Sequence, residues 1–155
     1  ETDGRYYQYT AIDEYTRMRK LWASKEVSTS ASAEFIEYII KAFPFKIECI
    51  QTDNGTEFTN RLNPNPTKKK TRFEKKLEEL GIKHKLIKPK TPRHNGKVER
   101  SHRKDQERFY YNKVFCSFED FKNRLKKWER EYNDFPMKPL KWLSPKEKYL
   151  EYIRN

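Results

Sequence analysis

Between Glu99 and Arg108 the chain carries ten consecutive residues, ERSHRKDQER, without one apolar side chain. Glu, Gln, Lys and Arg are good helix formers, and no Gly or Pro interrupts the run, so it reads as a helix. A helix that is polar all round has no stripe to bury. It either stays solvated or has work for its charges. Val98 before it, and Phe109 and Tyr110 after it, are the apolar residues available to seat it on a core. The preceding Lys88–Gly96 contains Pro89, Pro92, Asn95 and Gly96 and reads as a loop. One carboxylate, Glu99, stands at the helix start among Lys97, Arg100, Arg103 and Lys104.

The rest of the chain is rich enough in aromatics to supply a core, with ten Tyr, ten Phe and three Trp in 155 residues. That length suits a single compact domain, and we expect residues 1–155 to form one, with 133–155 as a C-terminal extension. The formal net charge of +12 points to a polyanionic partner, and for a basic domain that is usually nucleic acid. Cys49 and Cys116 have no CxxC spacing, which excludes a zinc ribbon or a disulfide framework. Reduced, packed cysteines fit a cytoplasmic setting, and no apolar run is long enough for a membrane span. The chain enters strand-like sequence within a few residues of Glu1, as an excised piece of a longer protein would.

In order, Arg5–Ile12 and Arg17–Ala23 read as two strands of an antiparallel hairpin around a turn at Asp13-Glu14, with a basic outer face. Asp13 is expected to be a turn former and not a catalytic acid. Ser30 or Ser32 caps a helix to about Phe43, with Phe35, Ile36, Ile39, Ile40 and Phe43 on one stripe. Ile47–Gln51 is a short buried strand ended by Asp53-Asn54-Gly55, and Asn60–Lys70 is a basic insertion. Arg72–Leu80 is a helix with Phe73, Leu77 and Leu80 inside and Gly81 just past its end. Ile82–Ile87 alternates as a strand. Ser117 caps a helix with Phe118, Phe121, Leu125, Trp128 and Tyr132 on its apolar stripe. Ser144-Pro145, with Glu147 three residues after the cap, starts the last helix. The expected class is α/β.

Two acids stand where such a fold brings chemistry together: Asp53 at the end of a strand and Glu99 at the start of the polar helix. Hard cations such as Mg²⁺ take carboxylate oxygens together with substrate phosphates. Phosphoryl transfer on nucleic acid commonly uses two such ions. Lys88, Lys90, Arg93, Lys97, Arg100 and Arg103 surround the pair with charge suited to a phosphate backbone. His94 and His102 flank it as exposed or DNA-contacting residues, and His84 reads as structural. A non-catalytic nucleic-acid-binding module is the alternative, but such a module has no need of two acids inside a basic patch.

The segments Gln51–Phe58 (QTDNGTEF) and Thr91–Arg100 (TPRHNGKVER) resemble the catalytic core of retroviral integrases and the related DDE transposases of bacterial insertion sequences. The tail from Tyr132 to Tyr149 is similar to the segment that follows the core in those transposases. The separation of the two acids is longer than the family's usual one, and the insertion at Asn60–Lys70 accounts for the excess. The resemblance implies a ribonuclease-H-like fold, a mixed central sheet flanked by helices. It implies Mg²⁺- or Mn²⁺-dependent cleavage of DNA ends and joining of the 3′-hydroxyls to target DNA. Asp53 and Glu99 would be the metal ligands, and Asn95, Lys97, Arg100 and Arg103 would contact DNA. The family uses three acids. Counting back places the first before Glu1, so the two-metal site is expected only with that missing Asp, and these residues alone are expected to be inactive. Transposon ends and target DNA would be the partners. A homo-oligomer, at least a dimer, would be the working form, in a bacterial, nucleoid-associated setting.

Overall fold

A computed structural model describes residues 4–64, 69–88, 91 and 96–155. The elements are β1 (Tyr7–Ile12), β2 (Arg19–Ser24), α1 (Thr29–Ala42), β3 (Cys49–Thr52), α2 (Arg72–Glu79), β4 (Lys83–Leu86), α3 (Gly96–Asp105), α4 (Phe118–Asn133) and α5 (Pro145–Arg154). Among the described residues the strands of this α/β chain form two pairs, β1–β2 and β3–β4. Residues 4–23 with 97–155 form one compact unit, and residues 24–96 form another.

In the first unit, β1 and β2 are joined by residues 13–18, a link too short for anything but an antiparallel return. Asp13 builds that turn: its Oδ2 accepts from the Thr16 amide at 2.8 Å and the Thr16 hydroxyl at 2.7 Å. Arg17 completes it at φ 62°. α4 buries Phe121, Leu125, Trp128 and Tyr132 against Leu21, Ala23, Phe109, Met137 and Leu140. The same helix also holds the backbone of β2. Glu129 Oε2 accepts from Leu21 N at 2.7 Å, while Asn133 accepts from Arg19 N at 2.8 Å and donates to Arg19 O at 2.9 Å. Side chains thus do for β2 what a neighbouring strand would do.

One of the hairpin's basic residues does not join an outer face. Arg19 lies in the inward register with Leu21 and Ala23 and is fully buried. Its guanidinium donates to both oxygens of Asp105, at 2.9 and 2.7 Å. Trp128 Nε1 at 2.6 Å and Gln8 Nε2 at 3.0 Å complete the shell of that carboxylate, and His102 Nδ1 lies 3.4 Å away. The polar helix is therefore seated by polar groups: Ser101 and Asp105 are its buried residues, on one face one turn apart. After Asp105 it widens into a π turn, Gln106–Tyr110. This turn brings Phe109 to stack on Trp128 at 6.1 Å and Tyr110 to donate to Gln8 Oε1 at 2.6 Å.

In the second unit, Ser28 and neither Ser30 nor Ser32 caps α1, accepting from Ala31 N at 3.0 Å. Ser32 is buried inside the first turn and donates to Ser28 O, and Ser30 accepts from Arg72 at 2.6 Å. Phe35, Ile36 and Ile39 face inward as the stripe requires. α2 opens on a capping box, Thr71 with Glu74, and buries Phe73 and Leu77. Leu80 is exposed, because the helix has ended at Glu79 and Leu80 is only its cap. Gly81 follows at φ 67°, the left-handed position that favours glycine. β3 and β4 pair in parallel from Cys49↔Lys83 to Thr52↔Leu86. β3 is not the buried strand its sequence suggests: Cys49 and Gln51 are exposed, since a two-stranded sheet does not enclose it. Among the described residues no helix is long and apolar enough to cross a membrane.

Burial pushes the Asp105 carboxyl up, but the contacts from His102, Arg19 and Trp128 more than reverse this and hold it well below the ordinary carboxylate range. Its folded pKa is depressed, so its stabilisation is present above the unfolded value and is lost as pH falls below about 4. Replacing Asp105 by Asn strands the Arg19 charge and is expected to cost about 3–5 kcal/mol in urea unfolding at pH 7. The deficit should shrink toward pH 3, where the wild-type pair is itself weakened.

Candidate active site

Asp53 is exposed and immediately follows Thr52, the buried last residue of β3. The corner is clipped to β4 on both sides of the chain. Ile87 N donates to Thr52 O at 3.1 Å, and Asn54 Nδ2 donates to Ile87 O at 3.0 Å. The Thr52 hydroxyl donates to Asp53 O at 2.9 Å and lies 2.8 Å from His84 Nε2. With the one hydroxyl proton committed to Asp53, the histidine must be the donor, so Nε2 carries hydrogen. Asp53 Oδ1 accepts from Gly55 N at 2.9 Å, an Asx turn. Oδ2 has no hydrogen bond or ion pair among the described residues. Gly55 leaves space that Glu57 occupies: a Cβ there would stand 2.6 Å from Glu57 Oε2. A third carboxylate is thus held close to the Asp53 turn, a neighbour that reading the motif for single acids missed.

Glu99 is exposed on the first turn of α3, with no hydrogen bond or ion pair among the described residues. Arg100 and Arg103 are exposed on the same helix. Lys97 is engaged by Glu14, donating to its carbonyl at 2.9 Å and lying 3.6 Å from its carboxylate. Lys88 is exposed after β4. Lys90, Arg93, His94 and Asn95 lie outside the described residues, as do Pro89 and Pro92 of the same loop and 65–68 of the insertion. Glu99, Lys97, Arg100 and Arg103 thus share one unit, and Asp53 and Lys88 belong to the other. No group of three or more His, Cys, Asp or Glu side chains arranged for a metal occurs among the described residues. Asp53 and Glu99 nonetheless offer the oxygen donors a hard divalent cation takes.

Models of the integrase core domain match this sequence twice, over residues 1–92 and over residues 80–145. The chain belongs to the integrase core domain family. The first match spans Asp53 and the second spans Glu99. Over 137 residues the chain is 31% identical to a protein of Spiroplasma virus SpV1-C74 named as an integrase, ORF3, covering 84% of this chain and 38% of that protein. It is also 31% identical over 104 residues to the retrovirus-related Pol polyprotein from transposon TNT 1-94 of Nicotiana tabacum, covering 64% of this chain and 7% of that protein. The chain therefore spans well under half the length of these relatives. Among solved structures it is similar to the catalytic core domain of BIV integrase, with a TM-score of 0.69 at 21% identity over 95% of this chain and 87% of that one. It is also similar to the HTLV-2 integrase catalytic core domain in complex with magnesium, with a TM-score of 0.66 at 17% identity over 94% and 85% of the two chains. The fold is the ribonuclease-H-like α/β fold of integrase cores.

Burial lowers the His84 pKa below its ordinary 6.5, and the nearby Glu74 carboxylate offsets this only in part. The neutral Nε2–H form therefore holds the Thr52–Asp53 corner at neutral pH. An NMR titration of His84 should show a midpoint below 6.5, and stability should fall as pH drops through that midpoint, because the unfolded chain takes up the proton more readily.

Proposed function

We propose that Asp53 and Glu99 hold the divalent metal of a core that cleaves DNA ends and joins their 3′-hydroxyls to target DNA. The observation that carries this reading is the state of the two carboxylates. In a chain with 35 Lys and Arg, neither acid has a cationic partner among the described residues, and each lies within a segment matched to the integrase core. Carboxylates left exposed in a basic field repel a phosphate backbone unless a cation comes between them. Mg²⁺ suits this donor set, as it suits the magnesium-bound HTLV-2 core, and Mn²⁺ is its close substitute. A bound divalent ion supplies the Lewis acidity that phosphoryl transfer needs.

The chain's own residues supply the rest. The turn at Asp53–Gly55 fixes one carboxylate at the end of β3, and α3 presents the other. Arg100 and Arg103 grip phosphates on the same helix, and Lys97 joins them by exchanging its contact with Glu14. Lys88, Lys90, Arg93 and Asn95 are further DNA-contacting residues in this reading. Residues 1–155 form one integrase core in this reading, which the family matches over residues 1–92 and 80–145 support. Asp53 and Glu99 are two of the three acids the family resemblance implies, so these residues by themselves do not turn over. The working form is a homo-oligomer on transposon ends and target DNA, and the trimeric form of the HTLV-2 core supports self-association.

Asp53→Asn and Glu99→Gln should have opposite effects on binding and chemistry. Each should tighten metal-free binding to DNA by removing a negative charge, and each should abolish Mn²⁺-dependent strand joining in the parent protein. Arg100→Ala and Arg103→Ala should each lower the log–log salt slope of DNA binding by about 0.9, one phosphate contact apiece. Variants at Asp53 and Glu99 that join strands normally would exclude these carboxylates as metal ligands.

A further inference from the structure

Beyond α4, the chain makes a tight hairpin from Met137 to Leu143 that the site above does not use. Met137 N donates to Leu143 O at 3.0 Å and the two residues form an antiparallel bridge. Met137 and Leu140 are buried and root the hairpin in the core. At its tip Leu143 N donates to Leu140 O at 3.1 Å, closing a four-residue turn around Lys141 and Trp142. Both central residues are left-handed, at φ 55° and 66°. That is the pattern of a type I′ turn, which Asn and Gly form without strain. Lys and Trp carry a Cβ into it and pay in backbone energy.

The side chain so placed is 67% exposed. A single exposed aromatic is ordinary on a protein surface. A tryptophan held out at the left-handed tip of a turn rooted in the core is not, because Asn and Gly would close the same turn without the strain. The surroundings select its partner. Lys138, Lys141 and Lys146 are all exposed, and from Phe135 to Lys146 there is no acidic residue. A rigid indole among lysines matches a base flanked by phosphates, and an indole reaches a base face only where the base is unpaired or at a strand end.

We propose that the Met137–Leu143 hairpin is a base-stacking finger, with Trp142 laid on an unpaired base of DNA and Lys138 and Lys141 on the phosphates beside it. This rests on the DNA reading above and adds to it a subsite for a single-stranded end.

The test uses tryptophan emission, since Trp22 and Trp128 are more buried than Trp142. Titration with a duplex carrying a single-stranded 3′ overhang should quench the emission, and a blunt duplex should quench it less. Trp142→Ala should weaken overhang binding about tenfold, the scale of one lost stacked base, and Trp142→Phe should keep most of the affinity. The paired change Lys141→Asn with Trp142→Gly should raise the melting temperature by about 2 °C or more while weakening the overhang complex. Unchanged overhang affinity in Trp142→Ala would overturn the proposal, and so would a lower melting temperature in the paired variant. Quenching by protein concentration alone, abolished in Trp142→Ala, would make the finger a contact between copies and overturn it too. Glu99→Gln separates the two readings: it should lose strand joining in the parent protein and keep the quench.

Discussion

One buried ion pair organises the unit built on β1, β2 and the last three helices. Arg19 and Asp105 are both inaccessible to solvent, and taking two charges out of water costs several kcal/mol each. The structure offsets that cost by giving the carboxylate nearly every donor it can accept. Two bonds come from Arg19, one from Trp128 and one from Gln8. The guanidinium also lies 3.7 Å from the centre of the Tyr132 ring. β1, β2, α3 and α4 therefore each contribute a group to one polar knot. Arg19 Nε is left buried without a partner, so the satisfaction is close but not complete.

The same knot explains how a helix with no apolar stripe belongs to a folded unit at all. Ser101 and Asp105 are short, and at a spacing of four they let α3 come close to the hairpin while Arg100 and Arg103 stay exposed. Lys104 shows the cost of that crowding. Burial, then Arg108, Arg19 and Arg17, lower its pKa, and Glu107 offsets this only in part.

Much of this was legible in the sequence, and the failures share a cause. The capping box at Ser144–Glu147, the glycine after α2, the stripe of α4 and the turn at Asp13 all follow from local rules in which one residue decides one bond. The segments around Asp53 and Glu99 stood out because their motifs are contiguous, and the family matches span both. The Arg19–Asp105 pair was not, because periodicity reasoning counts apolar residues and passes over a charge placed where Leu would stand. A signal was present: Arg19 alternates with Leu21 and Ala23, and Asp105 falls in step with Ser101 and Phe109. The exposure of β3 was misjudged for another reason, since an apolar run tells of burial only when a sheet exists on both sides of it. The cap of α1 slipped because three serines lie within five residues, and tertiary contacts, not propensity, chose Ser28.

A buried charge pair buys little stability over a hydrophobic one of equal volume, so its value here is in register. If α3 turned by one residue, about 100°, it would bring Lys104 or Gln106 against Arg19 in place of Asp105. Leucine at 105 would tolerate such a slip, because apolar contacts are not directional. A bidentate pair with Trp128 and Gln8 aimed at the same carboxylate does not tolerate it. Glu99 lies six residues earlier, about 240° round the helix, so fixing Asp105 inward also fixes Glu99 outward. Structure and chemistry thus meet on one helix: an acid sealed in the core holds the rotation that keeps a second acid in solvent, without a cationic partner among the described residues.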